Sequence, residues 1–202
     1  KFSKSMAASP WKVILASKSP RRVEILEKIV KEFEVVQSNF DENTIDFKGD
    51  VEKYVKDLSR NKAIEVSKRL NEPSIVIAAD TVVFQNGKVL EKPKSEEDAF
   101  SMLSSLSGNT HKVYSGICLI NTYDDTVVTD CDCTEVKFSE LNPRQIRNYI
   151  NSGEPMDKAG AYGIQGLGGA FVERIEGCYY NVMGLPLNKL YKALENYDIT
   201  IL

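Results

Sequence analysis

The amino-acid sequence predicts an α/β protein, because segments with the pattern of buried strands alternate with segments of helical periodicity. The runs WKVILA (11–16) and SIVIAADTVVF (74–84) are apolar enough to form strands inside a sheet. Helical patterns separate the strands along the first half of the chain. With 202 residues, 42% of them hydrophobic, and no internal repeat, the chain is expected to form one domain over residues 1–202.

The first half of the chain is predicted from periodicity. After the strand 11–16, RRVEILEKIVKEF places Val23, Leu26 and Ile29 on one face of a helix. FEVVQS (33–38) reads as the next strand and is followed by a polar loop. A longer helix is predicted from about Val51 to Leu70, with a continuous apolar side, and the strand 74–84 follows it.

Turn and cap signals predict the second half. Asn86-Gly87 is a hairpin signal after the strand 74–84, and SEEDAFSMLSSLSG predicts a helix that opens at Ser95 and closes at Gly108. Residues 111–138 are predicted to form two long strands joined at a Tyr-Asp-Asp turn. The predicted order ends with a helix from Pro143 to Asn151, a glycine-rich stretch, a strand, and a helix from Pro186 to Tyr197.

Charge and composition exclude several classes of partner. The formal net charge of −3 argues against a nucleic-acid partner, and no apolar run approaches the roughly 20 residues of a membrane span. Four cysteines without CxxC spacing are expected to be reduced thiols, as in a cytoplasmic protein. Residues 1–10 lack the apolar core of a signal peptide and are expected to be disordered or left over from cloning.

The loop SKSPRR raises an electrostatic question. Ser19 is a suitable N-cap and Pro20 suits the first position of a helix, yet Lys18, Arg21 and Arg22 crowd a helix end that favours anions. A loop between a strand and a helix can bind a phosphate through backbone N–H groups, and arginines add two-pronged donation. The alternative is that the arginines are solvated or paired with Glu24.

The stretch AADTVV places an acid within an apolar run. Buried carboxylates need a partner, a hydrogen bond or a metal, so Asp80 is a candidate for chemistry, although it could simply close a turn. Glu91 and Lys92 return from the predicted hairpin towards it, which would place acids suited to Mg²⁺ beside a lysine suited to phosphate. Further candidates are Glu42, in the loop after a strand, and Lys62, on a helix face.

Histidine usage narrows the mechanism. His111 is the single histidine, so multi-histidine metal sites are impossible, and at the start of a strand it is expected to be structural. A general base must then be a carboxylate or a metal-bound water. In the glycine-rich stretch, Gln165 could read a base edge through its amide, although glycine-rich turns are common in any protein.

Five motifs follow one another along the chain: SKSPRR, AADTVV, LEKP, LSGNTHKVYSG and DKAGAYGIQG…NVMGLPL. In this order they resemble the Maf family of nucleoside triphosphate pyrophosphatases, and the resemblance covers about residues 13–194. The resemblance implies an inosine triphosphatase-like fold, with a mixed twisted sheet, flanking helices and two lobes around a cleft. It implies cleavage between the α and β phosphates with Mg²⁺ or Mn²⁺. DKAGAYGIQG looks like the branch acting on dTTP and UTP.

The resemblance also implies roles for single residues. Asp80 matches the proton acceptor, and Glu42 an acid near the metal, with Asp80 as the second metal ligand. Arg21, Thr81 and Gln165 match positions tied to substrate choice. The positions matching polar groups around the triphosphate are Ser17, Arg22, Lys62 and Lys92. Ser115 departs from the threonine that is more frequent before the glycine, but it retains a hydroxyl.

Two functional hypotheses follow. In the first, the chain hydrolyses dTTP and UTP, including modified pyrimidine nucleotides as potential targets, and forms the homodimer that the resemblance suggests. In the second, it binds nucleotides as a regulator of septum formation without significant turnover. The presence of Asp80, Glu42 and Glu91 favours the enzyme.

Overall fold

The structure is a computed structural model that describes residues 11–202; the expectation for the first ten residues lies outside this range. Within this range, seven strands form one sheet of order β2-β1-β3-β5-β6-β7, and β4 pairs with β3. The strands are β1 (Lys12–Leu15), β2 (Glu34–Val35), β3 (Ser74–Gln85), β4 (Lys88–Leu90), β5 (Thr110–Asn121), β6 (Thr126–Phe138) and β7 (Val172–Glu176). β1 runs parallel to β2 and β3 and the other pairs are antiparallel, so the predicted mixed sheet is confirmed.

In the described part of the chain, six α-helices flank this sheet. They are α1 (Pro20–Glu27), α2 (Val51–Ser67), α3 (Glu96–Leu106), α4 (Pro143–Asn151), α5 (Tyr179–Met183) and α6 (Leu187–Leu194). Side-chain caps explain where the clearest of them begin: Asp50 accepts a hydrogen bond from the Lys53 amide at 3.1 Å, and Ser95 one from the Asp98 amide at 3.0 Å. The α2, α3 and α4 predictions are therefore confirmed, with α2 ending three residues early.

The central strand β3 has a change of partner along one edge. β1 pairs with residues 74–77 of β3, and β4 pairs with residues 83–85. Residues 78–82 lie between these two partners, close to the point where β1 ends and the loop to α1 begins. Asp80 and Thr81 occupy the middle of this stretch.

The hydrophobic core divides at the same two residues. On one face of β3, Ala79 belongs to a cluster around α1 and α6, and Val83 to a cluster around α3 and α4. On the other face, Ala78 and Val82 belong to separate clusters under α2. Because side chains alternate across a strand, Thr81 lies between the clusters of Ala79 and Val83, and Asp80 lies on the opposite face, between the two clusters under α2. The core is thus built in two parts that meet at the polar pair.

Three local predictions are corrected. The first helix ends at Glu27, not at residue 33, because the chain turns there and Val30 forms a bridge with Thr200. The strand predicted over 33–38 is limited to Glu34–Val35, since its parallel partner β1 already ends opposite Val35. The last helix ends at Leu194 and continues only as a 3₁₀ turn, and the five-residue α5 was not predicted.

Candidate active site

A cleft of about 280 Å³ opens beside residues 80 and 81 of β3. It is bounded by the loop before α1, the 3₁₀ turn at Glu42–Thr44, α2, the segment after β4 and the glycine-rich stretch. The predicted site residues that line it are Arg21, Arg22, Glu42, Lys62, Asp80, Thr81, Lys92 and Gln165. Residues far apart in the sequence therefore share one concave, mostly polar site.

Two carboxylates converge on one ammonium group in this cleft. Lys62 Nζ lies 2.6 Å from Asp80 Oδ1 and 2.7 Å from Glu42 Oε1. Asp80 is 7% exposed, so its charge depends on this partner. Partial burial raises the pKa of Glu42, but the charge and hydrogen bond of Lys62 outweigh it and hold that pKa below its ordinary value. Glu42 is therefore available as a carboxylate at neutral pH.

The guanidinium of Arg22 is held in place by a neutral network. Its Nε donates to the Gly184 carbonyl at 2.7 Å and its Nη2 to Thr81 Oγ1 at 3.1 Å. Thr81 Oγ1 lies 2.7 Å from Ser115 Oγ, which donates to the Asn181 carbonyl at 3.0 Å. Burial lowers the pKa of Arg22, but arginine remains protonated. Only two of the five guanidinium donors are used in these bonds, so the others can bind an anion.

The loop before α1 has the predicted local structure. Ser19 is the N-cap and its side chain accepts from the Arg22 amide at 3.4 Å. Arg21 reaches across the cleft, with Nη1 3.6 Å from Asp157 Oδ2. Ser17 is the one predicted site residue that lies outside the cleft lining: it is buried, and its hydroxyl accepts from the Ser19 amide at 3.1 Å. Its observed contact shapes the loop.

The glycine-rich stretch is held by a carboxylate that the sequence did not single out. Glu154 accepts hydrogen bonds from the Leu167 and Gly168 amides at 2.9 and 3.0 Å, and also from the Tyr149 hydroxyl. A side chain at Gly166 would collide with this carboxylate, which explains the glycine there. Gln165 is exposed on this stretch and its Nε2 donates to the Glu24 carboxylate of α1.

Two further residues discussed from the sequence, Glu91 and His111, lie in different surroundings. Glu91 lines the cleft and accepts a hydrogen bond from Tyr54 at 2.7 Å; burial and this carboxylate raise the pKa of the phenol above its ordinary value. His111 is buried and bonds to the Tyr162 hydroxyl at 2.7 Å, in an aromatic cluster with Phe138. His111 does not line the cleft, in agreement with its predicted structural role.

The carboxylates of Glu42 and Asp80 suit a divalent cation whose remaining ligands come from water and a bound substrate. Within residues 11–202, no group of three or more His, Cys, Asp or Glu side chains is arranged to hold a metal. Glu42 and Asp80 nevertheless converge, since both contact the same nitrogen atom. Mg²⁺ is commonly held by one or two carboxylates, waters and substrate phosphates, and these residues fit that pattern.

Several functional residues were missed in the sequence because their role depends on long-range contacts. In the sequence, Glu24 reads only as an alternative partner of the arginines, Asn181 and Gly184 have no role of their own within the motif NVMGLPL, and Glu154 reads as an ordinary surface acid. Asn181, which is fully buried, is a polar residue within the mostly apolar run 178–187, and that contrast is a signal that could have directed attention to it. None of the helices in the described range is both long and apolar enough to cross a membrane.

Comparison with known proteins decides the family. A family model described as Maf-like protein matches residues 12–197, nearly the whole chain. The chain belongs to the Maf family. The resemblance carried by the five sequence motifs is thereby confirmed.

Similar proteins have consistent names. A protein of Clostridium perfringens (strain ATCC 13124) named dTTP/UTP pyrophosphatase is 97% identical over 191 residues, covering 95% of this chain and 100% of that protein. A protein of Clostridium novyi (strain NT) with the same name is 54% identical over 190 residues, covering 94% of this chain and 100% of the relative.

Two solved structures are also similar. One is a nucleoside-triphosphatase / dITP/XTP pyrophosphatase from Mycobacterium abscessus, with a TM-score of 0.38 and 12% identity over 70% of this chain and 95% of that one. The other is a HAM1 protein from Coxiella burnetii, with a TM-score of 0.45 and 12% identity over 92% of this chain and 99% of that one. A likeness of this size carries no inference about activity.

Proposed function

We propose that this Maf-family chain hydrolyses dTTP and UTP to the monophosphate and pyrophosphate. The observation that carries the proposal is the convergence of Asp80, Glu42 and Lys62 in a cleft that arginines also line. The names of relatives that align with nearly the whole chain, over 95% and 94% of it, support the choice of substrate.

The cations of the cleft suit a triphosphate. Arg22 is fixed by Thr81 and Gly184, so its remaining N–H groups can bind phosphate oxygens without losing their orientation. Arg21 and Lys92 line the same cleft, and Lys62 can exchange a carboxylate contact for a phosphate oxygen. Together they would offset the negative charge that grows on the departing pyrophosphate.

Asp80 is the proposed proton acceptor. Water attacks the α phosphorus, a new P–O bond forms, and the bond from that phosphorus to the oxygen bridging it to the β phosphorus breaks. The bridging oxygen leaves with pyrophosphate, and the proton lost by the water goes to the carboxylate. Asp80 suits this role, because it is buried in the cleft wall and its carboxylate contacts the Lys62 ammonium group at 2.6 Å.

A divalent cation, Mg²⁺ or Mn²⁺, is proposed as cofactor, with Glu42 and Asp80 as its protein ligands. Such an ion supplies positive charge to phosphate oxygens and lowers the pKa of a bound water. We also propose that the chain is cytoplasmic and forms a homodimer; sedimentation of the purified protein tests the dimer.

The test of function is a substrate panel. Pyrophosphate release with Mg²⁺ is measured for dTTP, UTP, CTP, GTP, 7-methyl-GTP and methylated pyrimidine triphosphates. The proposal expects rapid turnover of dTTP and UTP with one monophosphate per pyrophosphate. Preferred turnover of 7-methyl-GTP would contradict the substrate assignment. Tight nucleotide binding without turnover would contradict the enzyme hypothesis and favour a nucleotide-binding regulator.

A further inference from the structure

The amide group of Gln165 is held in one orientation by Glu24. Gln165 Nε2 lies 3.0 Å from Glu24 Oε1 and 2.9 Å from Oε2, although the two residues are 141 positions apart. A carboxylate can only accept hydrogen bonds, so the amide nitrogen, and not the oxygen, must face it. The chemistry of the pair therefore fixes which way round the amide sits.

This orientation determines what Gln165 offers to a ligand. Because the nitrogen faces Glu24, the amide oxygen, which neither of these hydrogen bonds uses, is the acceptor available to a ligand in the cleft that Gln165 lines. The N3 atom of uracil and thymine carries a hydrogen and donates, whereas N3 of cytosine carries none and accepts. An acceptor that faces N3 matches the first pair of bases and opposes the second.

The side chains of Glu24 and Gln165 are exposed, but the backbone that carries each of them is anchored. Glu24 lies on α1, one turn beyond the Ser19 N-cap and beside Ile25 and Leu26, which are fully buried. Gln165 lies on the stretch that the Glu154 carboxylate holds through the Leu167 and Gly168 amides. The orientation of the amide is thus prepared before a ligand binds, which reduces the ordering needed on binding.

We propose that Glu24 is a specificity-determining positioning residue, which orients Gln165 so that the site accepts uracil and thymine and rejects cytosine. This inference rests on the proposed function, because it assigns the base selection to the same cleft. It adds a residue outside the cleft lining to the determinants of substrate choice.

The experiment compares Glu24→Gln with wild type. A glutamine at position 24 can donate or accept, so it allows Gln165 to turn either way. The ratio of kcat/KM for UTP to that for CTP is expected to fall about tenfold, mainly through KM, with kcat for UTP little changed. Glu27→Gln, an exposed substitution on the same helix, is the matched control and is expected to keep the wild-type ratio.

A double variant separates positioning from structure. Gln165→Ala is expected to lose the UTP preference, and adding Glu24→Gln to it is expected to change the ratio no further, because Glu24 acts only through Gln165. An equal loss of kcat/KM for both nucleotides in Glu24→Gln would show a structural role and overturn the inference, as would an unchanged ratio.

Binding distinguishes this inference from the proposed function. Calorimetric titration with dTMP and dCMP measures base preference without turnover. If the wild-type protein binds dTMP preferentially but hydrolyses no triphosphate, the proposed function fails while the Glu24→Gln comparison still tests positioning. If the protein turns over dTTP but Glu24→Gln leaves the dTMP preference intact, the positioning role alone is overturned.

Discussion

At the scale of single residues, the cleft is organised around one lysine. Lys62 compensates Asp80 and Glu42 at once, at 2.6 and 2.7 Å, and its side chain is only 13% exposed. A buried charge without a partner is strongly unfavourable, so Asp80 and Lys62 depend on each other, and Glu42, whose side chain is 52% exposed, adds a weaker second contact. The same arrangement holds both acids in the cleft that Arg21, Arg22 and Lys92 also line.

Lys62→Met should therefore reduce stability in a pH-dependent way. At pH 7 the free energy of unfolding is expected to fall by about 1–3 kcal/mol, because Asp80 loses its partner. The lowered pKa of Glu42 contributes stability above its unfolded pKa, and that contribution is lost as pH falls through the folded pKa. The difference between the variant and wild type should shrink at pH 4.

Urea unfolding at pH 7 and pH 4 measures this effect. Lys68→Met, an exposed substitution just after the end of the same helix, is the control and should leave stability nearly unchanged. A Lys62→Met variant as stable as wild type at pH 7 would show that the two carboxylates do not need the ammonium group.

At the scale of elements, the site depends on how closely α2 approaches the sheet. Gly116 of β5 lies opposite Asp80 in the register, on the face that α2 covers. A Cβ atom at Gly116 would lie 2.8 Å from the Lys56 amide nitrogen and closer still to the Val55 carbonyl. The missing side chain allows α2 to cross there, and α2 carries Lys62 to Asp80.

Gly116→Ala is expected to lower the free energy of unfolding by about 1–3 kcal/mol and to reduce turnover, because α2 must move away from β5. The measurements are urea unfolding and the rate of pyrophosphate release. The control is Gly49→Ala, where open space surrounds the position and only the φ of +96° is unfavourable, by about 1–2 kcal/mol. The Gly49→Ala variant should retain its turnover. A Gly116→Ala variant as stable as wild type would contradict the close crossing of α2 over β5.

At the scale of the whole molecule, the elements with their own local signals were predictable from the sequence. α2, α3 and α4 have polar caps and clear periodicity, and the Asn86-Gly87 turn has the positive φ values that its sequence demands. α5 was missed because five residues show no period. The two-residue β2 could not be delimited, since its length depends on the end of another strand.

The candidate site was predictable to the extent that single residues reveal chemistry. An acid in an apolar strand and arginines at a helix N-terminus were unusual enough to single out Asp80, Arg21 and Arg22. The contacts of Glu24 with Gln165 and of Glu154 with the glycine-rich stretch join distant segments, and each acid alone resembles a solvated surface residue.

The single histidine gives the molecule a pH-dependent stability. Burial lowers the pKa of His111 to about 4, below the value of about 6.5 expected in the unfolded chain. Between these values the unfolded state binds more protons, so stability falls as pH decreases. From pH 7 to pH 5 the free energy of unfolding should decrease by about 2 kcal/mol. Urea unfolding between pH 7 and pH 5 measures this decrease, and His111→Gln should make the free energy of unfolding less dependent on pH. An equal pH dependence in the variant and the wild type would contradict the role of His111.

The central claim is that the cleft beside β3 is a pyrophosphatase site in which Asp80 accepts the proton of the attacking water. The most direct test is the initial rate of dTMP and pyrophosphate formation from dTTP by wild type and by Asp80→Asn. Asp46→Asn, an exposed substitution outside the cleft, is the control. The account predicts equal amounts of the two products from wild type and a rate about 10²–10⁴-fold lower in folded Asp80→Asn. A folded Asp80→Asn variant with near-normal turnover would contradict it.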